Sequence, residues 1–216
     1  MKIAAAIIAC MALAAVIAFA IHSSGRQPDI ETKDLKATTT EHGADNELCP
    51  WRNPAADRQK FFPGATGSRD IDHILSRSLP ELVKRLGRHA GIKDTLLATH
   101  EVYQGSMHVG TIIARRVRGQ YGLIELILAT DTHGQVQGAE IQRQREPDSE
   151  AVYLKSDKFL GAFHGKTVNS VWQCGVDMPT PPADARASAE ALVADAKEAL
   201  ILLDIANRGD GSQRPS

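Results

Sequence analysis

The stretch 118–147, RGQYGLIELILATDTHGQVQGAEIQRQREP, constrains the fold more than any other part of the chain. Leu123, Ile124, Leu126, Ile127 and Leu128 form a compact apolar run. Asp131, Thr132, His133 and Gly134 break it, and Val136, Ala139 and Ile141 then resume a looser alternation. A short apolar run, a turn cluster and a second alternating run predict a β-hairpin. Gly134 and Gly138 are expected to supply backbone freedom at the turn and just after it. The hairpin places an antiparallel pair in the fold but specifies no chemistry.

The flanking segments extend the pattern. Residues 102–118 read as two further strands turning at Gln104-Gly105-Ser106, with Val109, Thr111 and Ile113 alternating along the second. Residues 70–88 predict a helix, because Ile71, Ile74, Leu75, Leu79, Leu82, Val83 and Leu86 recur at helical spacing. Ser68 or Asp70 would cap its start and Gly87 its end, and Pro80 calls for a kink or two short helices. Residues 183–206 predict the strongest helix, with Ala185, Ala189, Leu192, Val193, Ala196, Leu200 and Leu203 on one face. Pro181-Pro182 precede it and Gly209 follows. Strands in a central block with helices on either side indicate an α+β class with a mostly antiparallel sheet.

At 216 residues the chain suits one domain with an extension. The apolar segment 3–21 follows Lys2 and is close to the ~20 residues a bilayer-spanning helix needs. It also carries Ala18-Phe19-Ala20, a small-x-small site of signal-peptide type. Residues 1–26 are therefore a signal anchor or a signal peptide. Its length favours retention, which leaves the bulk of the chain membrane-anchored and facing the periplasm or cell exterior. Cleavage would instead release it to the periplasm. Residues 27–48 are a polar linker, 49–207 the folded domain and 208–216 a disordered tail. A net charge of −1 gives no reason to expect nucleic acid. Arg115-Arg116 and Arg118 form the one tight basic group, read as a solvated strand end. Cys10 lies within the apolar segment; in an oxidising compartment Cys49 and Cys174 can pair, or remain two free thiols.

Several motifs, taken in order, resemble the FMN-binding domain family, which includes flavin subunits of ion-pumping electron-transport complexes and flavin domains of nitrous-oxide regulators. The matching residues are Phe61-Phe62-Pro63-Gly64-Ala65-Thr66, Tyr121-Gly122, the run 124–129, Asp131 with Gly134, Glu146-Pro147 and Phe163-His164-Gly165-Lys166-Thr167. An Ala-rich terminal helix closes the order. The resemblance implies the same α+β class and an FMN-binding electron-transfer role beside redox protein partners. In the family, a Ser-Gly-Ala-Thr motif at the start of the last helix implies attachment of FMN through threonine. Here that place reads Val176-Asp177-Met178-Pro179-Thr180-Pro181-Pro182-Ala183. Thr180 is present without its small-residue context, and prolines supply no N–H donors. The departure implies that any FMN is non-covalent. Tyr121, Phe159, Phe163 and Trp172 are candidates for an apolar slot, with Glu146 as a polar partner; for any one aromatic taken alone, core packing is the favoured reading. A cofactor-free structural or interaction subunit of the same fold is the alternative.

Other chemistries lack a signature. The eight histidines show no helical i, i+4 pair, and there is no Cys-x-x-Cys or His-Glu-x-x-His. Gly-x-Ser-x-Gly, a Walker loop and Gly-x-Gly-x-x-Gly are also absent.

Overall fold

The computed structural model describes residues 54–210. The signal or anchor segment, the linker, Cys10, Cys49 and residues 211–216 lie outside them. In chain order the elements are α1 (Pro54–Phe61), β1 (Gly67–Ile74), a 3-10 turn (Ser76–Ser78), α2 (Leu79–Leu86), a second 3-10 turn (Ile92–Asp94), β2 (Leu96–Gln104), β3 (Met107–Arg118), β4 (Leu123–Thr130), β5 (Val136–Arg143), α3 (Asp148–Leu154), α4 (Asp157–Gly161) and α5 (Arg186–Asp210). The strands form one five-stranded antiparallel sheet in sequence order, β1 to β5. The class is α+β.

The β4–β5 hairpin forms where the sequence puts it. Asp131 Oδ1 accepts from the amides of His133 at 2.8 Å and Gln135 at 2.9 Å. Gly134 closes the turn at φ 76°, a backbone region that side chains disfavour. Gly138 serves a different purpose from the one expected. A Cβ there would lie 2.6 Å from the Phe61 ring, so the position is kept small for packing. The turn at 104–106 also forms, between β2 and β3.

The helix expected over 70–88 begins as a strand. Asp70 to Ile74 pair with His100 to Leu96 as the end of β1, and helix begins only at Leu79. The apolar spacing across Ile71, Ile74 and Leu75 mimics a helix, but pairing with β2 satisfies this backbone instead. Pro80 sits in the first turn of α2, where its missing N–H costs nothing, and so starts the helix rather than kinking it. Gly87 caps the end at φ 66°, as expected.

The sheet is covered on both faces. On one side Leu126, Leu128 and Ile141 meet Leu192, Val193, Ala196 and Leu200 of α5. Leu97 and Ile113 meet Leu82 of α2 together with Leu202 and Ile205 of α5. On the other side Val102, Ile112, Ile127 and Ala129 lie beneath Phe61 and Phe62. The central strand β4 is thus apolar on both sides, which explains its continuous rather than alternating pattern. The last helix begins at Arg186 and presents the expected face. It also runs past the expected end to Asp210, with Arg208 paired to Asp204 and Glu81. Residues 208–210 are therefore helix, not tail. At the outer edge of β5, the Val136 amide donates to Lys166 O and Val136 O accepts from the Gly165 amide, both at 2.8 Å. His164 Nδ1 lies 2.9 Å from Gln137 O on the same edge.

Candidate functional site: a buried carboxyl pair beside the last helix

Three segments far apart in sequence meet beside the first turns of α5. The first is the β3–β4 connection, closed by the Gly119 amide donating to Gly122 O at 2.8 Å. The second is Glu146-Pro147 with the start of α3. The third is Asp184 to Ser188. The Tyr121 amide donates to Glu146 Oε1 at 3.2 Å, and the Gln120 amide donates to Ser188 Oγ at 2.8 Å. A Cβ at Gly119 would lie 2.3 Å from Glu146 Oε1 and 3.0 Å from Ser188 Oγ, so only glycine fits where the loop crosses.

Pro147 opens α3, and Glu150 falls on its inner face with Ala151 and Leu154. Glu146 and Glu150 are 4% and 2% exposed. The Oε2 atom of each is buried with no protein donor. Burial pushes the Glu150 carboxyl above the usual range, and its hydrogen bond to Glu146, the charge of Glu146 and that of Asp184 push the same way. A hydrogen bond between two carboxyls requires a proton, which the pair shares. The arrangement is a buried acid pair, tied on one side to a loop amide and facing a third carboxyl on the other.

The four residues singled out in the sequence do not converge. Tyr121 and Glu146 are brought together, although the Tyr121 side chain is 57% exposed. Phe163 is fully buried, edge-on to Phe159 with ring centres 5.4 Å apart and to Trp172 at 5.9 Å. Tyr153 adds to the cluster at 5.3 Å from Phe159. These aromatics fill the space between themselves as part of the core. Thr180 is exposed, in the loop before α5. Lys166 pairs with Asp177, and its ammonium lies 5.8 Å from the Trp172 ring centre, so it ties down a loop. Glu150, Asp184, Ser188 and Gly119 are the site residues that sequence reasoning missed. The spacing Glu146-Pro147-x-x-Glu150 was the available sign, since a proline before a helix start puts the two glutamates one turn apart.

The residues at the start of α5 do not suit an FMN phosphate. A helix start favours an anion through free amides. Here Asp184 Oδ1 already accepts from the Ala185 amide at 3.0 Å, Ser188 Oγ is occupied by Gln120, and Pro181 and Pro182 have no N–H. Glu150 and Asp184 are close enough to feel each other's charge, and a phosphate beside them would add more of the same sign.

No group of three His, Cys, Asp or Glu side chains among the described residues is placed to hold a metal ion. Among them, too, no helix is long and apolar enough to cross a membrane. Cys174 is half-buried, and burial raises its thiol above the usual range, with Glu190 and Asp177 adding to the effect. Its expected partner Cys49 lies outside the described residues. No protein-family model matches the chain, and no curated protein matches it.

Proposed function

We propose that the chain is an extracytoplasmic interaction subunit of FMN-binding-domain type, held at a membrane by residues 3–21 and working beside redox proteins without a flavin of its own. The single observation that carries this reading is the carboxyl cluster at the start of α5, where the family resemblance implies a phosphate. Two buried glutamates with donor-poor oxygens and the neighbouring carboxylate of Asp184 make that position hostile to a dianion. The filled aromatic cluster around Phe163 points the same way, because a flavin ring needs an open flat slot.

A second reading, a non-covalent FMN electron-transfer module, draws on the exposed Tyr121 ring, whose own backbone amide donates to Glu146. A ring there offers a stacking face. The absorption spectrum of purified protein lacking residues 1–26 separates the two. The interaction-subunit reading expects a colourless protein that takes up no added FMN. Bands near ~370 and ~450 nm, the signature of oxidised flavin, would replace it with the electron-transfer reading. A yellow pellet after acid precipitation would further show attachment through a residue such as Thr180.

A further inference from the structure

The sheet is antiparallel, so β1 and β3 end where β2 and β4 begin. That end of the domain carries an unusual set of exposed side chains. Ile74 pairs with Leu96, and they are 75% and 54% exposed. Ile92, in the turn leading into β2, is 91% exposed. Arg118 pairs with Leu123, which is 38% exposed, and Tyr121 lies in the connection between them. The registers put Ile74, Leu96, Arg118 and Leu123 on one face of the sheet, the face opposite α5. Four strands at ~4.8 Å spacing make this rim about 14 Å wide.

Cations outnumber acids among the exposed charges at the rim. Arg77 follows β1 in the first 3-10 turn, Lys93 follows Ile92 in the second, and Arg118 ends β3; all three are exposed. Two of the acids nearby are held in ion pairs. Asp94 is held by Arg88, which also binds Glu198, and Glu81 lies between Arg85 and Arg208. Asp72 is exposed one register step from Ile74 on the same face. Isolated apolar tips, a phenol and interspersed cations suit a boundary layer, in which apolar groups enter the acyl region while cations meet phosphates.

We propose that this rim rests on an anionic lipid surface, with Ile74, Ile92 and Leu96 dipping into it and Arg77, Lys93 and Arg118 at the headgroups. The inference shares the membrane location with the proposed function, but does not depend on whether a flavin is bound. The test uses the full chain with Ile92→Trp, reconstituted in vesicles with brominated acyl chains, made of phosphatidylcholine alone or mixed with phosphatidylglycerol. The wild-type protein, with Trp51 and Trp172, supplies the baseline. Quenching of the added tryptophan is expected in the anionic vesicles, with little in the neutral ones. Adding Arg77→Glu and Lys93→Glu should abolish it, since each cation near such a surface is worth about fivefold in partitioning. High salt should weaken it. Absence of extra quenching in both lipids overturns the proposal. Equal quenching in both overturns the electrostatic part. Shielding of the tryptophan in detergent together with a doubled molecular mass assigns the rim to a second copy instead. Carbonate washing of the same vesicles reads residues 3–21 separately, so failure of the anchor and failure of the rim are distinguishable.

Discussion

Substituting Gly119 by alanine tests the packing of the candidate site most directly. The added Cβ would stand 2.3 Å from Glu146 Oε1, 2.8 Å from Ile124 Cδ1 and 3.0 Å from Ser188 Oγ. Gly119 is not among the glycines with positive φ, so the cost is steric rather than conformational. Overfilling a packed interior costs about 1–3 kcal/mol. Moving the loop also strains the bonds from Tyr121 to Glu146 and from Gln120 to Ser188, each worth about 1 kcal/mol. A total near ~3 kcal/mol lowers the midpoint of thermal unfolding by about 6–12 °C in a domain of this size. The control is Gly161→Ala, where a Cβ meets nothing and the change should stay within about 0.5 kcal/mol. Both are read by urea and thermal unfolding of protein lacking residues 1–26. Glu146→Ala in the same background removes the nearest obstacle. The double variant should be more stable than the sum of the singles by about 1–2 kcal/mol. A Gly119→Ala protein as stable as the Gly161→Ala control, or strict additivity with Glu146→Ala, would refute the packing described here.

Three further outcomes follow from the same structure. The raised carboxyl of Glu150 means that the folded state binds a proton more tightly than the unfolded chain. Its contribution is therefore complete below the ordinary glutamate range and lost as pH rises through the higher folded value. Unfolding midpoints measured against pH should show that fall in the wild type and a flatter curve in Glu150→Gln, whose amide can donate to Glu146 at any pH. Arg88→Ala should cost about 1–3 kcal/mol, the value for a broken ion pair reduced for the partial exposure of the guanidinium, because it leaves Asp94 with only the Gly91 amide. Denaturant midpoints for Arg88→Ala and the solvent-facing Lys93→Ala would differ by that amount, and equal midpoints would count against it. Cys174 should alkylate slowly in the folded protein at neutral pH, since burial keeps it a thiol. A rate equal to that of the unfolded chain would contradict its placement, and no reaction until reductant is added would reveal a disulfide to Cys49.

The parts of the fold set by neighbouring residues were legible in the sequence. Asp131 and Gly134 make their turn from bonds within five residues, so the β4–β5 hairpin could be read directly. The face of α5 repeats often enough to be unmistakable. The segment 70–74 was not legible, because its conformation depends on pairing with residues 96–100, and its own apolar spacing favours the other periodicity. The site divides in the same way. Glu146 stood out through its proline neighbour, whereas the roles of Gly119 and Ser188 exist only once α3, α5 and the β3–β4 loop have converged. Phe163 was legible as an aromatic beside a glycine-lysine step, and its burial against Phe159 and Trp172 was not.

The segment laid along the rim of β5 has a consequence for how the protein avoids self-association. An open strand edge is a template on which another copy can extend the sheet. Here Gly165 and Lys166 occupy the hydrogen-bonding positions of Val136, and His164 reaches the carbonyl of Gln137. Further along the same strand, Glu140 and Lys60 form an ion pair at 2.7 Å, and an incoming strand would have to strip water from those charges. An intruder thus finds the start of the edge already taken and the middle guarded by charge. Such plugging guards against aggregation without adding to the hydrophobic core.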